Sequence, residues 1–280
     1  MCPSAAETPR QIANAHTIFN IGIAFLFLPF SVQFARFCEW VVPDKPLEEA
    51  LIVKAKYLDD GLLSTPALAL DRTRMEIGHM GQHVEAMLQR MMPAVLGGDQ
   101  TALREVAKMD DDVDILHGQI VTYLGKVSQN ALSEKQTTNF LHLMDAVNDL
   151  ENIGDIIETD LVALGRKRLD DGITVSEATR GVLGELHQAV ADTVNEALKA
   201  VMENDQRAAQ EVIARKSDIN RLVEYASQHQ AGRLVAEAPK RLATYRIEVD
   251  IIEKLKRIYY FAKRMAKAVA PPELTEKAGA

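Results

Sequence analysis

Apolar positions recur every three or four residues through most of the chain, the spacing that lays a stripe along one side of an α-helix. The pattern predicts six long helices, over residues 68–96, 99–129, 133–168, 176–203, 205–235 and 239–268. Helix breakers fall between them. Gly97 and Gly98 close the first, Asp170, Asp171 and Gly172 separate the third from the fourth, and Asn204 with Asp205 divides the fourth from the fifth. Pro239 can open the last helix in its first turn, Pro271 and Pro272 end it, and Ser133 with Gln136 reads as a capping box. Helices joined so briefly bury their stripes against one another, so the expectation is an all-α body of two stacked three-helix bundles.

The start of the chain follows another pattern. From 11 to 35 no residue carries a formal charge, and the segment includes IFNIGIAFLFLPF. A helix of roughly 20 apolar residues crosses a bilayer, so residues 1–42 read as a leader and transmembrane helix. Pro29 would be a kink of the kind membrane helices tolerate, and Trp40 suits the headgroup level. A signal peptide is the competing reading, but only Arg10 precedes the run and no small-x-small cleavage site follows at FARFCEW. Arg10 lies on one side of the span and Arg36, Lys45, Lys54 and Lys56 on the other, which places the C-terminal body in the cytoplasm. Residues 43–66, rich in acids, Leu and Pro, would connect the anchor to the body.

Charge adds an exclusion. The first 45 residues hold three bases and three acids, so the net charge of −8 belongs to the rest of the chain and a nucleic-acid partner is not expected. Cys2 and Cys38 match no zinc or redox spacing, and fit a reduced compartment.

The body repeats itself. DQTALREVAKMDDDVDI, beginning at Asp99, aligns with DQRAAQEVIARKSDINR, beginning at Asp205, at a constant offset of 106 residues. DLENIGD from Asp149 aligns with KLKRIYY from Lys254 at an offset of 105, resting on Leu150 with Leu255 and Ile153 with Ile258. Residues 67–172 and 173–280 are therefore taken as two repeats, the second with a tail.

Between residues 145 and 160 the sequence DAVNDLENIGDIIETD places six acids and no base on one predicted helix. Residues four apart share a face, so Glu151 stands with Asp155 and, on the preceding helix, Asp110 with Asp114. Antiparallel neighbours would bring the two pairs together as an all-oxygen site for a hard cation, divalent or ferric. The alternative is a pair of solvated acidic faces. Gly154 raises the case for a site, because glycine costs about 1 kcal/mol in a helix interior and a packing or site reason should offset that. The second repeat departs here: Asp110 and Asp114 become Lys216 and Asn220, and Glu151 and Asp155 become Lys256 and Tyr260. Its last helix carries nine bases between residues 238 and 268, available to pair with acidic helices, to contact an anion or to face acidic lipids.

DLENIGDIIE resembles the DLERIGDHAxxIAE signature of PhoU-type phosphate-uptake regulators, and KMDDDVDILHGQI resembles the helix that precedes it in each PhoU repeat. The leader ANAHTIFNIGIAFLFLPF looks like the last membrane helix of bacterial sodium/phosphate cotransporters, some of which carry a C-terminal PhoU-like domain. The resemblance implies an N-terminal transmembrane helix followed by a PhoU-like pair of three-helix bundles, at the inner membrane with the body cytoplasmic. It implies a regulatory role in sodium-dependent phosphate transport, a multi-spanning phosphate transporter core as partner, and metal binding at Asp110, Asp114, Glu151 and Asp155. The signature's Arg is Asn152 here and its His is Ile156, and the second repeat lacks the acids, so a second metal cluster is not expected. A single membrane helix cannot build a transport core, so the chain is not expected to transport by itself.

No phosphate-cradling glycine loop or nucleophile motif occurs, and the seven histidines are scattered, so the chain is not read as an enzyme. Glu76, His79 and His83 share a helix face and suggest zinc only weakly without a further ligand. Two other readings stand beside the regulator: a membrane-tethered signalling or structural bundle, which would want sustained heptads, and a di-iron carboxylate enzyme, which would want Glu-x-x-His on two helices.

Overall fold

All six stripes become helix over their described residues, and the second and fifth each break in two. The structure, a computed structural model, describes residues 7–27, 30, 53–234 and 240–270. The chain divides into two compact units, 1–52 and 53–280.

In the first unit the described element is α1 (Glu7–Phe27). No helix among the described residues is long and apolar enough to cross a membrane, so the transmembrane expectation finds no support among them. α1 takes Glu7, Arg10, Gln11, Asn14, His16 and Asn20 into its length, so its strongly apolar stretch starts only near Thr17. Ile18, Phe19, Phe25, Leu26 and Phe27 are exposed on it. Apart from Phe30, the remainder of the expected span lies outside the described residues, as do Cys2, Pro29, Cys38, Trp40, connector residues 43–52, Pro239, Pro271 and Pro272.

The second unit opens with a docked strap, then α2 (Pro66–Gly97), α3 (Gln100–Lys108), α4 (Asp110–Val127) and α5 (Glu134–Asp155). A π-helical segment (Ile156–Leu161) carries α5 into α6 (Val162–Asp170). There follow α7 (Glu177–Glu203), α8 (Gln206–Ala214), α9 (Lys216–Leu234) and α10 (Arg241–Val269). Local chemistry sets the ends. Pro66 opens α2 at a position where its missing N–H costs nothing, and Ser133 and Gln136 form the capping box at α5. Asp99 and Asp205 cap α3 and α8 in the same way, each accepting two backbone N–H groups. Asn204 ends α7 in the left-handed region at φ 51°.

The predicted helices over 99–129 and 205–235 break at Met109 and Arg215, positions that are themselves 106 residues apart. In the first case Asp110, Asp111 and Asp112 explain the restart, because acids are favoured in the first turn of a helix and not in its middle.

In the first half α2 packs on α4 and α5; in the second α7 packs on α8, α9 and α10. The halves join through α2 on α7 and α5 on α10, and one continuous apolar core runs through both. Part of the expected connector belongs to this body. Tyr123 Oη donates to Asp59 O at 2.8 Å, Ala55 N donates to Gln119 Oε1 at 2.7 Å, and Lys126 pairs with Asp60 at 2.8 Å. Glu76, fully buried, accepts the backbone N–H groups of Lys56 and Tyr57 at 2.8 and 2.7 Å and meets His79 Nδ1 at 2.6 Å. Glu76 is thus a clasp for the strap, and His83 turns instead to Asp112 at 3.4 Å. Among the described residues these three do not gather into a metal-sized group.

Candidate metal centre

The start of α4 and the end of α5 meet at Gly154. A methyl group there would collide with Asp110 Oδ1 and come within 3.3 Å of Val113 Cγ1, so the helices approach this closely only because position 154 has no side chain. That contact is the packing reason the sequence left open. The approach drives Asp110 into the interface, where it is 5% exposed and its Oδ1 has no hydrogen-bond partner. An unsatisfied carboxylate oxygen at such depth is costly unless a proton or a cation meets it.

Asp110, Asp114 and Asp155 each present a carboxylate oxygen, and these oxygens lie within 4.8 Å of one another. Asp110 is buried while Asp114 and Asp155 open to solvent, so the group has a floor and an accessible mouth. Glu151, the fourth predicted ligand, stands outside this trio. It remains in the same electrostatic field, its carboxyl raised by burial and then by Asp155, against a lowering influence of His117.

Burial pushes the Asp110 carboxyl up to about 7, with Asp114, Asp155, Glu158 and Glu151 adding to the rise. Asp114 is raised by burial and by Asp155. Mutual repulsion of this kind favours whatever neutralises it. The donors are all oxygen, as hard cations such as magnesium, manganese, calcium or ferric iron require.

Two participants were missed in the sequence. Glu158, half-buried, acts on Asp110 and Asp114 from the π-helical segment; its place three residues after Asp155 on one helix face was the available signal. His117 bonds Asn148 Oδ1 at 3.0 Å and sits in the field of Asp114 and Glu151, seven residues after Asp110 on α4. A π-helical insertion beside a charged cluster is a frequent companion of function, and no periodicity announces it.

The other flank of α5 is structural. Asp149 is fully buried and pairs with Arg264 of α10 at 2.7 Å, and burial still raises its carboxyl to about 7 against that cation. Asp160 takes Lys254 and Arg257 of α10 at 3.1 and 3.6 Å. One face of the basic helix therefore pairs with the acidic one.

Comparison with known proteins bears on the fold and on the segment that carries these residues. Residues 77–159, which contain all four predicted ligands and Glu158, match the family model of the PhoU domain. The structure is similar to the crystal structure of PhoU from Pseudomonas aeruginosa, with a TM-score of 0.65 at 20% sequence identity, covering 71% of this chain and 94% of that one. Among curated relatives, YjbB of Salmonella typhimurium and YjbB of Escherichia coli, each described provisionally as an inorganic phosphate export protein, are 24% identical over 243 residues. The match takes in 87% of this chain and 44% of each relative, so the chain spans less than half the length of those proteins. The chain has an all-helical, PhoU-like fold, with its carboxylate cluster inside the segment that matches the PhoU domain.

Proposed function

We propose that this chain is a PhoU-like regulatory module associated with phosphate transport, acting by binding rather than by catalysis. The observation that carries the reading is the convergence of Asp110, Asp114 and Asp155 around the unsatisfied Asp110 oxygen, within a PhoU-like fold whose curated relatives are described provisionally as phosphate exporters. Glu151 and Glu158 complete the field. A divalent or ferric cation held there would neutralise the carboxylates and lock α4 against α5, so occupancy would set the rigidity of the first half.

The partner in this reading is a multi-spanning, sodium-dependent phosphate carrier in the inner membrane, with the helical body on the cytoplasmic side. The exposed apolar side chains of α1, from Ile18 to Phe27, support a membrane setting for the first unit. Affinity capture of the full chain from detergent-solubilised membranes of its host tests the association. Recovery of a phosphate carrier is expected; repeated recovery without any carrier contradicts the reading.

A further inference from the structure

The second repeat carries charge of opposite sign at the positions that match the acidic cluster. Offsets of 106 on the shorter helix and 105 on the longer one convert Asp110, Asp114, Glu151, Asp155 and Glu158 into Lys216, Asn220, Lys256, Tyr260 and Lys263. The fold preserves the frame of this exchange. α9 begins at Lys216 as α4 begins at Asp110, each one residue after a break, and α10 packs on α9 as α5 packs on α4. Every acid of the first repeat's cluster is thereby replaced by a cation or a neutral donor.

α10 divides its charges by face. At 100° per residue, Lys254, Arg257 and Arg264 fall together on the side that pairs with Asp149 and Asp160. Lys256, Tyr260, Lys263 and Lys267 form a separate stripe at spacings of four, three and four. Among the described residues no ion pair joins Lys216, Lys256, Lys263 or Lys267 to an acid, although the chain carries a net charge of −8. Asp218, the acid nearest Lys216 in sequence, is paired with Arg221 at 3.2 Å.

We propose that Lys256, Tyr260, Lys263 and Lys267 of α10, with Lys216 and Asn220 at the start of α9, form an anion site that takes a phosphoryl group. The donor set suits it: ammonium groups supply charge, and the amide and phenol supply neutral hydrogen bonds to remaining oxygens. Lys263 stands in the electrostatic field of Lys216 and Lys267. The Lys263 ammonium is pushed below its usual range by burial and then by Lys216 and Lys267, so an arriving dianion would relieve repulsion as well as pair. The phosphoryl group could be inorganic phosphate or the headgroup of an acidic lipid, two sources with the same recognition chemistry. The site does not depend on the first repeat's cation centre.

The test uses the full chain in mild detergent at low ionic strength, titrated calorimetrically with inorganic phosphate against chloride. Binding is expected to weaken roughly tenfold or more in Lys216→Gln with Lys263→Gln and to survive in Lys216→Arg with Lys263→Arg, circular dichroism verifying the fold of each. Asp110→Asn with Asp114→Asn should leave phosphate affinity unchanged, which separates this site from the cation centre. In parallel, flotation is measured with phosphatidylcholine vesicles containing or lacking phosphatidic acid. Phosphatidic-acid-dependent flotation lost in the glutamine variant, with no phosphate heat, assigns the source to a lipid headgroup. Phosphate heat and acid-dependent flotation both absent in the wild type, or both indifferent to the glutamine variant, overturn the proposal.

Discussion

At the level of single residues, Gly154 and Asp110 decide whether a centre exists. Adding one methyl in Gly154→Ala sets a helix-propensity gain of about 1 kcal/mol against a collision with a buried carboxylate and with Val113. The collision should prevail at the site: calorimetry is expected to show manganese binding weakened roughly tenfold or more, while the fold persists. Asp110 makes a second prediction through pH. Its carboxyl stands at about 7 in the fold, above the usual range, so between about 4 and 7 the folded state holds a proton that the unfolded chain has released. Stability of the metal-free protein should therefore fall as pH rises through that window, with the penalty complete above 7. Asp110→Asn should remove much of this slope and stabilise the metal-free protein at pH 8 by on the order of 1–3 kcal/mol, read from denaturant melts. Helical spacing and the interior glycine made Asp110, Asp114 and Asp155 legible in the sequence. Glu151's displacement from the trio was not, because it depends on side-chain positions at the close approach of α4 and α5, next to a π-helical segment that no sequence period announces.

At the level of elements, charge placement does what periodicity could not announce. The stripe over 99–129 is continuous, so it predicts one helix, yet the three acids from Asp110 favour a new N-terminus and the chain breaks just before them. The strap preceding α2 reads as a connector in the sequence; its docking depends on polar partners 19 to 66 residues away, which no local pattern reveals. Glu76→Ala should leave the Lys56 and Tyr57 amides without their acceptor and cost about 2–3 kcal/mol, with faster hydrogen exchange confined first to the strap. Unaltered exchange at those two amides would show that the carboxylate does not hold it. Between α5 and α10, Arg264→Gln leaves Asp149 buried without its cation and should destabilise by on the order of 2 kcal/mol at pH 8. Adding Asp149→Asn should recover most of that loss in the double variant.

Over the whole molecule, the two halves share a core and an architecture but carry opposite charge at matching places. The all-helical body was readable from stripes and breakers, since helical order here is dominated by local patterning. The anchor stands apart: the described part of its span, α1, carries Asn14, His16 and Asn20 and is not long and apolar enough to cross a membrane, and most of the remainder lies outside the described residues. In a body whose halves interlock through α2 on α7 and α5 on α10, neutralising the carboxylates should stiffen more than their own two helices. The most direct measurement of this account is the melting temperature of the full, metal-stripped chain with and without saturating manganese at pH 7.5, alongside metal content after desalting. The wild type should retain metal and melt several degrees higher, about what 1–3 kcal/mol yields in a body of this size, with both effects lost in Asp110→Asn with Asp155→Asn. Equal melting with and without the cation, and no retained metal in the wild type, would contradict it.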